Sequence, residues 1–219
     1  NPVMRIPRAT YRIQLTPEFG FDHATAVVEY LQALGVSDLY CSPVFKAVSG
    51  STHGYDVVDP TAVNEELGGE IGLERLNAAI KKHDMGWLQD IVPNHMAFDS
   101  QNHMLMDVLE NGQTSRYVHY FDIDWDHVYE SLQGRLLAPF LGKFYGEALE
   151  AGEIRLHYDQ NGLSVGYYEM RFPLRIESYP EVLTHGLERL EERLGPQDTN
   201  LIKFIGTVYA LHDLPGRDR

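Results

Sequence analysis

Two short clusters of polar and aromatic side chains each follow an apolar stretch of the chain. One is His53-Gly54-Tyr55-Asp56, and the other is Asp90-Ile91-Val92-Pro93-Asn94-His95, which follows Trp87-Leu88. Their imidazole, carboxylate and amide groups donate and accept hydrogen bonds. Polar side chains at the carboxyl ends of successive strands form the active face of a β/α-barrel. The two clusters therefore predict a binding or catalytic site at one edge of a parallel sheet.

The aromatic ring of Tyr55 suits a sugar ligand, because a pyranose ring presents C–H patches that pack well on aromatic faces. Gly54 would let the backbone approach such a ligand closely. For a lone tyrosine, packing within its own loop is the more frequent role, and a lone pair such as Asn94 and His95 more often belongs to a turn. The presence of both clusters, each after a predicted strand, favours a binding site.

The elements that must position these clusters alternate between strand and helix. Strands are predicted at residues 9–15, 36–44 and 87–92, and helices are predicted at residues 22–35 and 71–85. This order is typical of a parallel α/β architecture. We expect Asp22 to cap the first helix, and we expect the third strand to bury Ile91 and Val92. The polar segment between residues 46 and 69 is predicted as a long loop, and loops of this length are often functional.

The alternation ends after about residue 98. The remaining strand-like segments are Ile154–Tyr158, Leu163–Tyr168 and Met170–Leu174. The sequence Asp159-Gln160-Asn161-Gly162 between the first two is a strong hairpin signal. Two helices are predicted to follow, at residues 179–194 and 198–212, and a polar tail is predicted from Leu214 onward.

Composition limits the classes of partner. The chain has 18 basic and 32 acidic residues in 219, a net charge of −14. Nucleic acids and anionic membranes bind basic patches, so neither is expected as a partner. Cys41 is the single cysteine, which excludes a disulfide within the chain. The opening residues lack an apolar signal core, and no apolar run approaches the roughly 20 residues of a membrane span, so a cytoplasmic location is expected.

The clusters resemble the first motifs of glycoside hydrolase family 13, the α-amylase superfamily. The resemblance rests on Gly54-Tyr55-Asp56-Val57, Leu67-Gly68-Gly69 and the segment from Asp90 to His95, in this order and spacing. It implies a TIM-barrel, (β/α)8, fold, of which the chain would hold the first three β/α units.

The resemblance also implies roles for individual residues. Tyr55 would stack on the sugar at the subsite just before the cleaved bond, and His53 and His95 would hydrogen-bond to that sugar. Asp90 would support the site, as would Asp56 and Asn94. In many amylases the asparagine at the position of Asn94 ligates calcium. The narrower group of relatives that this chain resembles is not typically calcium-dependent, so neither a metal nor a cofactor is expected.

A narrower resemblance, to the maltooligosyl trehalose synthases, covers nearly the whole chain. It is carried by Arg8–Leu15, Ser51–Asp56, Tyr120–Trp125 and Leu141–Gly146. It implies a maltooligosaccharide substrate whose reducing-end α-1,4 bond is converted to an α,α-1,1 bond by intramolecular transglycosylation. The implied domains are residues 1–97, the N-terminal part of the catalytic barrel; 98–178, an inserted irregular β-rich subdomain; and 179–219, a helical segment.

Retaining enzymes of this kind need two carboxylates about 5–5.5 Å apart. In the family these carboxylates follow the fourth and fifth barrel strands, in an Arg-x-Asp-His-like motif and a later Glu, and neither motif follows His95. Asp122, Asp124 and Asp126 lie in the predicted insertion, where capping and loop hydrogen bonds are the expected roles. We therefore expect an inactive N-terminal portion of a longer enzyme. Its exposed sheet edge could pair with a second copy.

Two alternatives remain open at this point. The first motifs alone do not separate a synthase from an α-glucan hydrolase or a 4-α-glucanotransferase of the same superfamily, although Tyr120–Trp125 and Leu141–Gly146 favour the synthase. The lack of the catalytic carboxylates would also fit a non-catalytic glucan-binding protein, although an incomplete barrel explains that lack more simply.

Overall fold

The computed structural model describes residues 5–214. The chain forms two compact units, Asn1–His103 and Met104–Arg219. The tail predicted from Leu214 onward lies outside the described residues, apart from Leu214 itself. Within residues 5–214, none of the helices combines the length and the apolar character needed to cross a membrane.

The first unit contains a β-α-β-α-β core with an additional hairpin. Its elements are β1 (Thr10–Ile13), α1 (Phe21–Ala33), β2 (Asp38–Cys41), β3 (Phe45–Ala47), β4 (Val57–Val63), α2 (Gly69–Lys82) and β5 (Gly86–Gln89). Strands β1, β2 and β5 form a parallel sheet in that order. The predicted parallel α/β arrangement is therefore confirmed for this part of the chain.

The two faces of this sheet have different surroundings. On one face, Ile13, Leu39 and Cys41 are buried and pack in one apolar cluster with α1 and α2. Side chains of a strand alternate between faces, so the neighbouring residues point the other way. Arg12 pairs with Tyr40, and Tyr40 pairs with Leu88, in the parallel register. These three side chains are exposed or half-buried, and they form a row on the face opposite the helices.

The limits of two predicted elements are corrected by the structure. The third strand ends at Gln89, so Ile91 and Val92 are not buried strand residues; Ile91 is 61% exposed. Strand β5 is at the edge of the described sheet, so no further strand holds these residues in place. Helix α1 begins after Gly20, and Asp22 lies in its first turn, where it pairs with Arg75 instead of capping the helix.

The segment predicted as one long loop contains ordered structure. Strands β3 and β4 pair antiparallel within it, and a 3-10 turn, Glu65–Leu67, follows β4. The polar composition of the segment hid the short strands. What remains as a loop is the stretch between β3 and β4, which carries His53 and Tyr55.

The second unit contains a three-stranded meander and several helices. Its elements are α3 (His103–Asn111, beginning at the last residue of the first unit), α4 (Tyr145–Glu150), β6 (Ile154–Asp159), β7 (Gly162–Tyr167), β8 (Met170–Pro173), α5 (Tyr179–Thr184), α6 (Leu187–Leu194) and α7 (Thr199–His212). The predicted hairpin is confirmed, since Asp159 pairs with Gly162 at the β6–β7 turn. The helix predicted over 179–194 is divided between α5 and α6, because Gly186 has a φ of +72°.

Candidate substrate-binding site

Four side chains from four segments of the first unit meet at the carboxyl edge of the parallel sheet. Arg12 lies on β1, Tyr40 on β2, Tyr55 in the loop between β3 and β4, and Asp90 directly after β5. Tyr55 and Tyr40 both donate their phenolic hydrogens to Oδ2 of Asp90, at 2.6 Å and 3.1 Å. Arg12 donates to the phenolic oxygen of Tyr55 at 3.1 Å. We call these four residues the edge cluster.

Hydrogen bonding raises the pKa of two members of the edge cluster, Tyr55 and Arg12. The hydrogen bond from Tyr55 to the Asp90 carboxylate stabilises the protonated phenol, so the pKa of Tyr55 is raised. The hydrogen bond with Tyr55 also raises the pKa of Arg12. The guanidinium group of Arg12 lies 5.6 Å from the centre of the Tyr40 ring, within the range of a cation–π contact. The hydroxyl group of Tyr55 therefore donates to Asp90 and accepts from Arg12, and these two hydrogen bonds fix the orientation of the ring.

The loop that carries Tyr55 is held by hydrogen bonds of its own. Ser51 donates its hydroxyl hydrogen to Asp56 at 2.5 Å and accepts the backbone N–H of Gly54 at 3.1 Å. Gly54 has a φ of +78°, and a Cβ atom there would lie 2.8 Å from the carbonyl oxygen of Pro43. Glycine is therefore required at this position for two independent reasons, the backbone angle and the close contact.

His53 lies beside Tyr55 with one ring nitrogen engaged. Its Nδ1 accepts the backbone N–H of Tyr55 at 3.0 Å. In the neutral ring the proton is then on Nε2, which leaves an N–H donor for a ligand. Nδ1 also lies 3.6 Å from Asp56 Oδ1, a contact that becomes an ion pair when the ring is protonated. The rings of His53 and Tyr55 are nearly parallel, with centres 6.2 Å apart.

Two further contacts tie this loop to the rest of the first unit. Glu66 accepts hydrogen bonds from the Ser49 hydroxyl at 2.6 Å and from the Gly50 N–H at 2.8 Å. These two bonds lower the pKa of Glu66. Gln14, after β1, donates to the carbonyl oxygen of Thr52 at 2.8 Å. These contacts attach the loop to the rest of the first unit on the N-terminal side of His53.

In the structure, the six predicted site residues form three pairs of neighbouring side chains. Tyr55 bonds to Asp90, and His53 contacts Asp56, both at the edge of the sheet. Asn94 and His95 are exposed, and their side chains lie 3.3 Å apart at Asn94 Nδ2 and His95 Nδ1. In the described part of the chain, no side-chain hydrogen bond connects this last pair to the edge cluster.

Arg12, Tyr40 and Gln14 were not predicted as site residues. The positional signal was weak, because Arg12 and Tyr40 lie in the middle of the predicted strands 9–15 and 36–44, and only Gln14 lies near the end of one. Side chains at the carboxyl ends of parallel strands meet at one edge. The assignment would still have needed the register that places Arg12 beside Tyr40.

Other chemically capable residues lie apart from this site. Cys41 is fully buried, and burial raises the pKa of its thiol to about 12, which makes it a poor nucleophile. Asp122, Asp124 and Asp126 are exposed. Among residues 5–214, no group of three or more His, Cys, Asp or Glu side chains could hold a metal ion.

Comparison with known proteins identifies the family of this fold and site. A family profile described as the α-amylase catalytic domain matches residues 23–161, which include the loop with His53 and Tyr55 and the segment from Asp90 to His95. This match covers more than half of the chain. The chain belongs to the α-amylase family. Its parallel β-α-β-α-β unit is the part of the structure that carries the edge cluster.

Within the α-amylase family, the similarity is greater to one branch. A Mycobacterium tuberculosis (strain H37Rv) protein assigned as a maltooligosyl trehalose synthase is 45% identical over 163 aligned residues, 68% of this chain and 21% of that protein. The solved structure of maltooligosyltrehalose synthase from Arthrobacter ramosus is 42% identical with a TM-score of 0.68, over 77% of this chain and 21% of that one. A maltogenic α-amylase of Bacillus acidopullulyticus is 31% identical, over 59% of this chain and 21% of that protein.

The chain spans about a fifth of the length of the curated relatives it matches. The similarity to the synthases therefore concerns this portion of those proteins.

Proposed function

We propose that this chain is the N-terminal portion of a maltooligosyl trehalose synthase. The complete enzyme would convert the reducing-end α-1,4 bond of a maltooligosaccharide to an α,α-1,1 bond. The observation that carries the proposal is the level of similarity, 45% identity to the Mycobacterium tuberculosis protein against 31% to the maltogenic α-amylase. The similarity in structure to the Arthrobacter ramosus synthase supports the same choice.

The edge cluster supports a role in sugar binding. In our proposal, the Tyr55 ring packs against one glucosyl unit, and His53 Nε2 donates to a hydroxyl of the same sugar. Asp90 and Arg12 hold the Tyr55 hydroxyl group, so little ring freedom is lost on binding. His95 would contact the same sugar, with Asn94 supporting it and Asp56 supporting His53. Fixing a binding group in advance reduces the entropy cost of binding.

The covalent steps need carboxylates that we place outside this chain. One carboxylate would attack the anomeric carbon of the second sugar from the reducing end and form a glycosyl-enzyme, while the acid/base carboxylate protonates the leaving 4-oxygen of the terminal glucose. That glucose would turn within the site, and its anomeric hydroxyl would attack the glycosyl-enzyme and give its proton to the acid/base. The reducing end is consumed, and the number of sugars in the chain is unchanged.

The chain would accordingly form part of a barrel. The three parallel strands β1, β2 and β5 would be the first three of eight, and residues 98–178 would be an insertion after the third. The row of Arg12, Tyr40 and Leu88 would face the barrel interior. The partial exposure of Leu88, at 37%, is consistent with a further strand beside β5 in the complete enzyme.

The test uses the complete gene product and maltopentaose. Reducing ends and product lengths are followed together over time. We expect the reducing ends to fall while the chain length stays at five sugars. A rise in reducing ends would identify a hydrolase instead, and constant reducing ends with scrambled lengths would identify a 4-α-glucanotransferase. No change at all would favour a non-catalytic glucan-binding protein.

The same assay applied to residues 1–219 alone tests the location of the carboxylates. We expect no change in reducing ends with this chain. Product with a trehalose end from this chain alone would contradict the proposal that the nucleophile and the acid/base lie outside it.

A further inference from the structure

The second unit contains a cavity of about 600 Å³ that the sugar site described above does not use. It lies among α3, the segment around residue 134 and the start of α5. The charged and aromatic side chains on its wall are those of Trp125, Arg135, Arg175, Glu177 and Glu181. Its volume is within the range of about 300–1,000 Å³ that is usual for small-molecule sites.

The charges on this wall balance. Two arginines and two glutamates line the cavity, and Arg175 Nε lies 3.6 Å from Glu177 Oε2. The side chains of Arg175 and Glu177 are 30% and 26% exposed, but Arg175 Nε and both carboxylate oxygens of Glu177 are themselves buried. An anionic ligand would meet the two carboxylates, and a cationic ligand would meet the two guanidinium groups. A neutral ligand with many hydroxyl groups can use donors and acceptors of both kinds.

A second cavity shares Trp125 with the first. It has a volume of about 560 Å³, and it is also lined by Tyr120 and Asp122. Tyr120 is 64% exposed, and its ring packs edge-on against Tyr117 with centres 5.6 Å apart. Two cavities that share a tryptophan in their lining suit a chain of sugars better than a single sugar, because each aromatic face can pack against one pyranose ring.

We propose that these cavities form a second glucan-binding site, which holds at least two consecutive glucosyl units with Trp125 as its central platform. Aromatic faces provide the apolar contact, and the exposed side chains of Arg135 and Glu181 bind the sugar hydroxyls. The choice of α-1,4-linked glucose as the sugar rests on the proposed function; the site itself rests on the cavities. None of its residues belongs to the edge cluster around Tyr55.

The test is a titration of the unaltered chain with maltotetraose, followed by the two indole N–H signals in a ¹H–¹⁵N NMR spectrum. The chain has two tryptophans, Trp87 and Trp125, and a Trp87→Phe variant assigns the signals. We expect the Trp125 signal to shift with saturation. The shift should persist in a Tyr55→Ala variant, which weakens the other sugar site. Glucose should bind about tenfold more weakly than maltotetraose, since it can occupy one aromatic face only.

A matched pair of variants tests the polar wall. Glu181→Gln removes a charged acceptor from the cavity and should weaken binding about fivefold, as expected for one hydrogen bond to a charged group. Glu188→Gln makes the same change in the first turn of α6, outside the cavity lining, and should leave binding unchanged. Equal effects of the two variants would overturn the assignment.

Three results would contradict the second site. These are no saturable shift of the Trp125 signal, loss of the shift in the Tyr55→Ala variant, or an equal shift with inorganic phosphate, which would indicate an anion site. Failure of the proposed function is a separate outcome. A saturable shift with maltotetraose, together with a complete gene product that forms no trehalose end, would support the second site and reject the synthase activity.

Discussion

The phenolic oxygen of Tyr55 lies 2.6 Å from Oδ2 of Asp90, and this hydrogen bond joins two segments that are 35 residues apart in the chain. Tyr55 belongs to the loop between β3 and β4, whereas Asp90 follows the edge strand β5. Because Arg12 donates to the same phenolic oxygen, the Tyr55 hydroxyl group lies between a cation and an anion. The Tyr55 ring is therefore oriented by Arg12 and Asp90, which belong to the parallel sheet and its edge, although the backbone of Tyr55 belongs to the loop between β3 and β4.

This geometry separates the role of the Tyr55 ring from that of its hydroxyl group. Tyr55→Ala should cost about 0.5–1.5 kcal/mol of maltopentaose binding, or roughly two- to tenfold in Kd, because the aromatic face is lost. Tyr55→Phe keeps the aromatic face and should change the Kd for maltopentaose by less than about twofold. Calorimetric titration in a Trp125→Ala background measures the effect without the second site. Equal losses in both variants would show that the hydroxyl group carries the binding.

The loop that holds Tyr55 also provides a matched pair of glycines. Gly54 and Gly50 both have a φ of +78°, but only Gly54 has a neighbour at the position of an added Cβ, the Pro43 carbonyl oxygen at 2.8 Å. Gly50→Ala should cost about 1–2 kcal/mol through the backbone angle alone. Gly54→Ala should cost more, because the loop must also move away from Pro43. Urea unfolding of the two variants measures the difference, and equal free energies would reject the close contact.

The sequence alone predicted a candidate site at one edge of the sheet but did not predict all of the side chains that meet there. Tyr55 and Asp90 were both predicted there because each belongs to a polar cluster assigned to the carboxyl end of a strand, and the structure brings them into contact. Arg12 and Tyr40 were missed, since their proximity depends on the register of β1 against β2. An arginine in a half-exposed strand has no local pattern that distinguishes a ligand contact from an ordinary surface position.

The prediction failed most clearly after β5. Ile91 and Val92 were expected to be buried because they extend an apolar run, yet Ile91 is 61% exposed. An apolar pattern indicates that a residue can be buried, but it does not identify the partner that buries it. The short strands β3 and β4 were missed for the opposite reason, since Pro60 and the charged residues around it are depleted in strands.

Glu66 gives the loop around Tyr55 a dependence on pH. Hydrogen bonds from Ser49 and Gly50 lower its pKa in the folded chain below its ordinary value of 4.5. A lowered folded pKa contributes stability above the unfolded value, and this stability is lost as the pH falls through the folded value. The thermal midpoint of the unaltered chain should therefore exceed that of Glu66→Gln at pH 7. The difference should shrink as the pH falls below 4.5.

The neighbouring glutamate is the control for this effect. Glu65 lies in the same 3-10 turn, but its side chain makes neither of these two hydrogen bonds. Glu65→Gln should therefore leave the pH dependence of the unaltered chain in place. A constant difference between the unaltered chain and Glu66→Gln from pH 7 to low pH would reject the assignment of the effect to Glu66 ionisation.

The edge strand β5 leads to a prediction about association. Leu88 on this strand is 37% exposed, and an uncapped edge offers backbone groups that can pair with a second copy. We expect the sedimentation coefficient of residues 1–219 to rise with protein concentration. Leu88→Lys should suppress this rise, because a charge on an edge strand opposes pairing. Ile71→Lys adds the same charge at a 69% exposed position on α2 and should not suppress it. A chain that stays monomeric at every concentration, or equal suppression by both variants, would exclude pairing through β5.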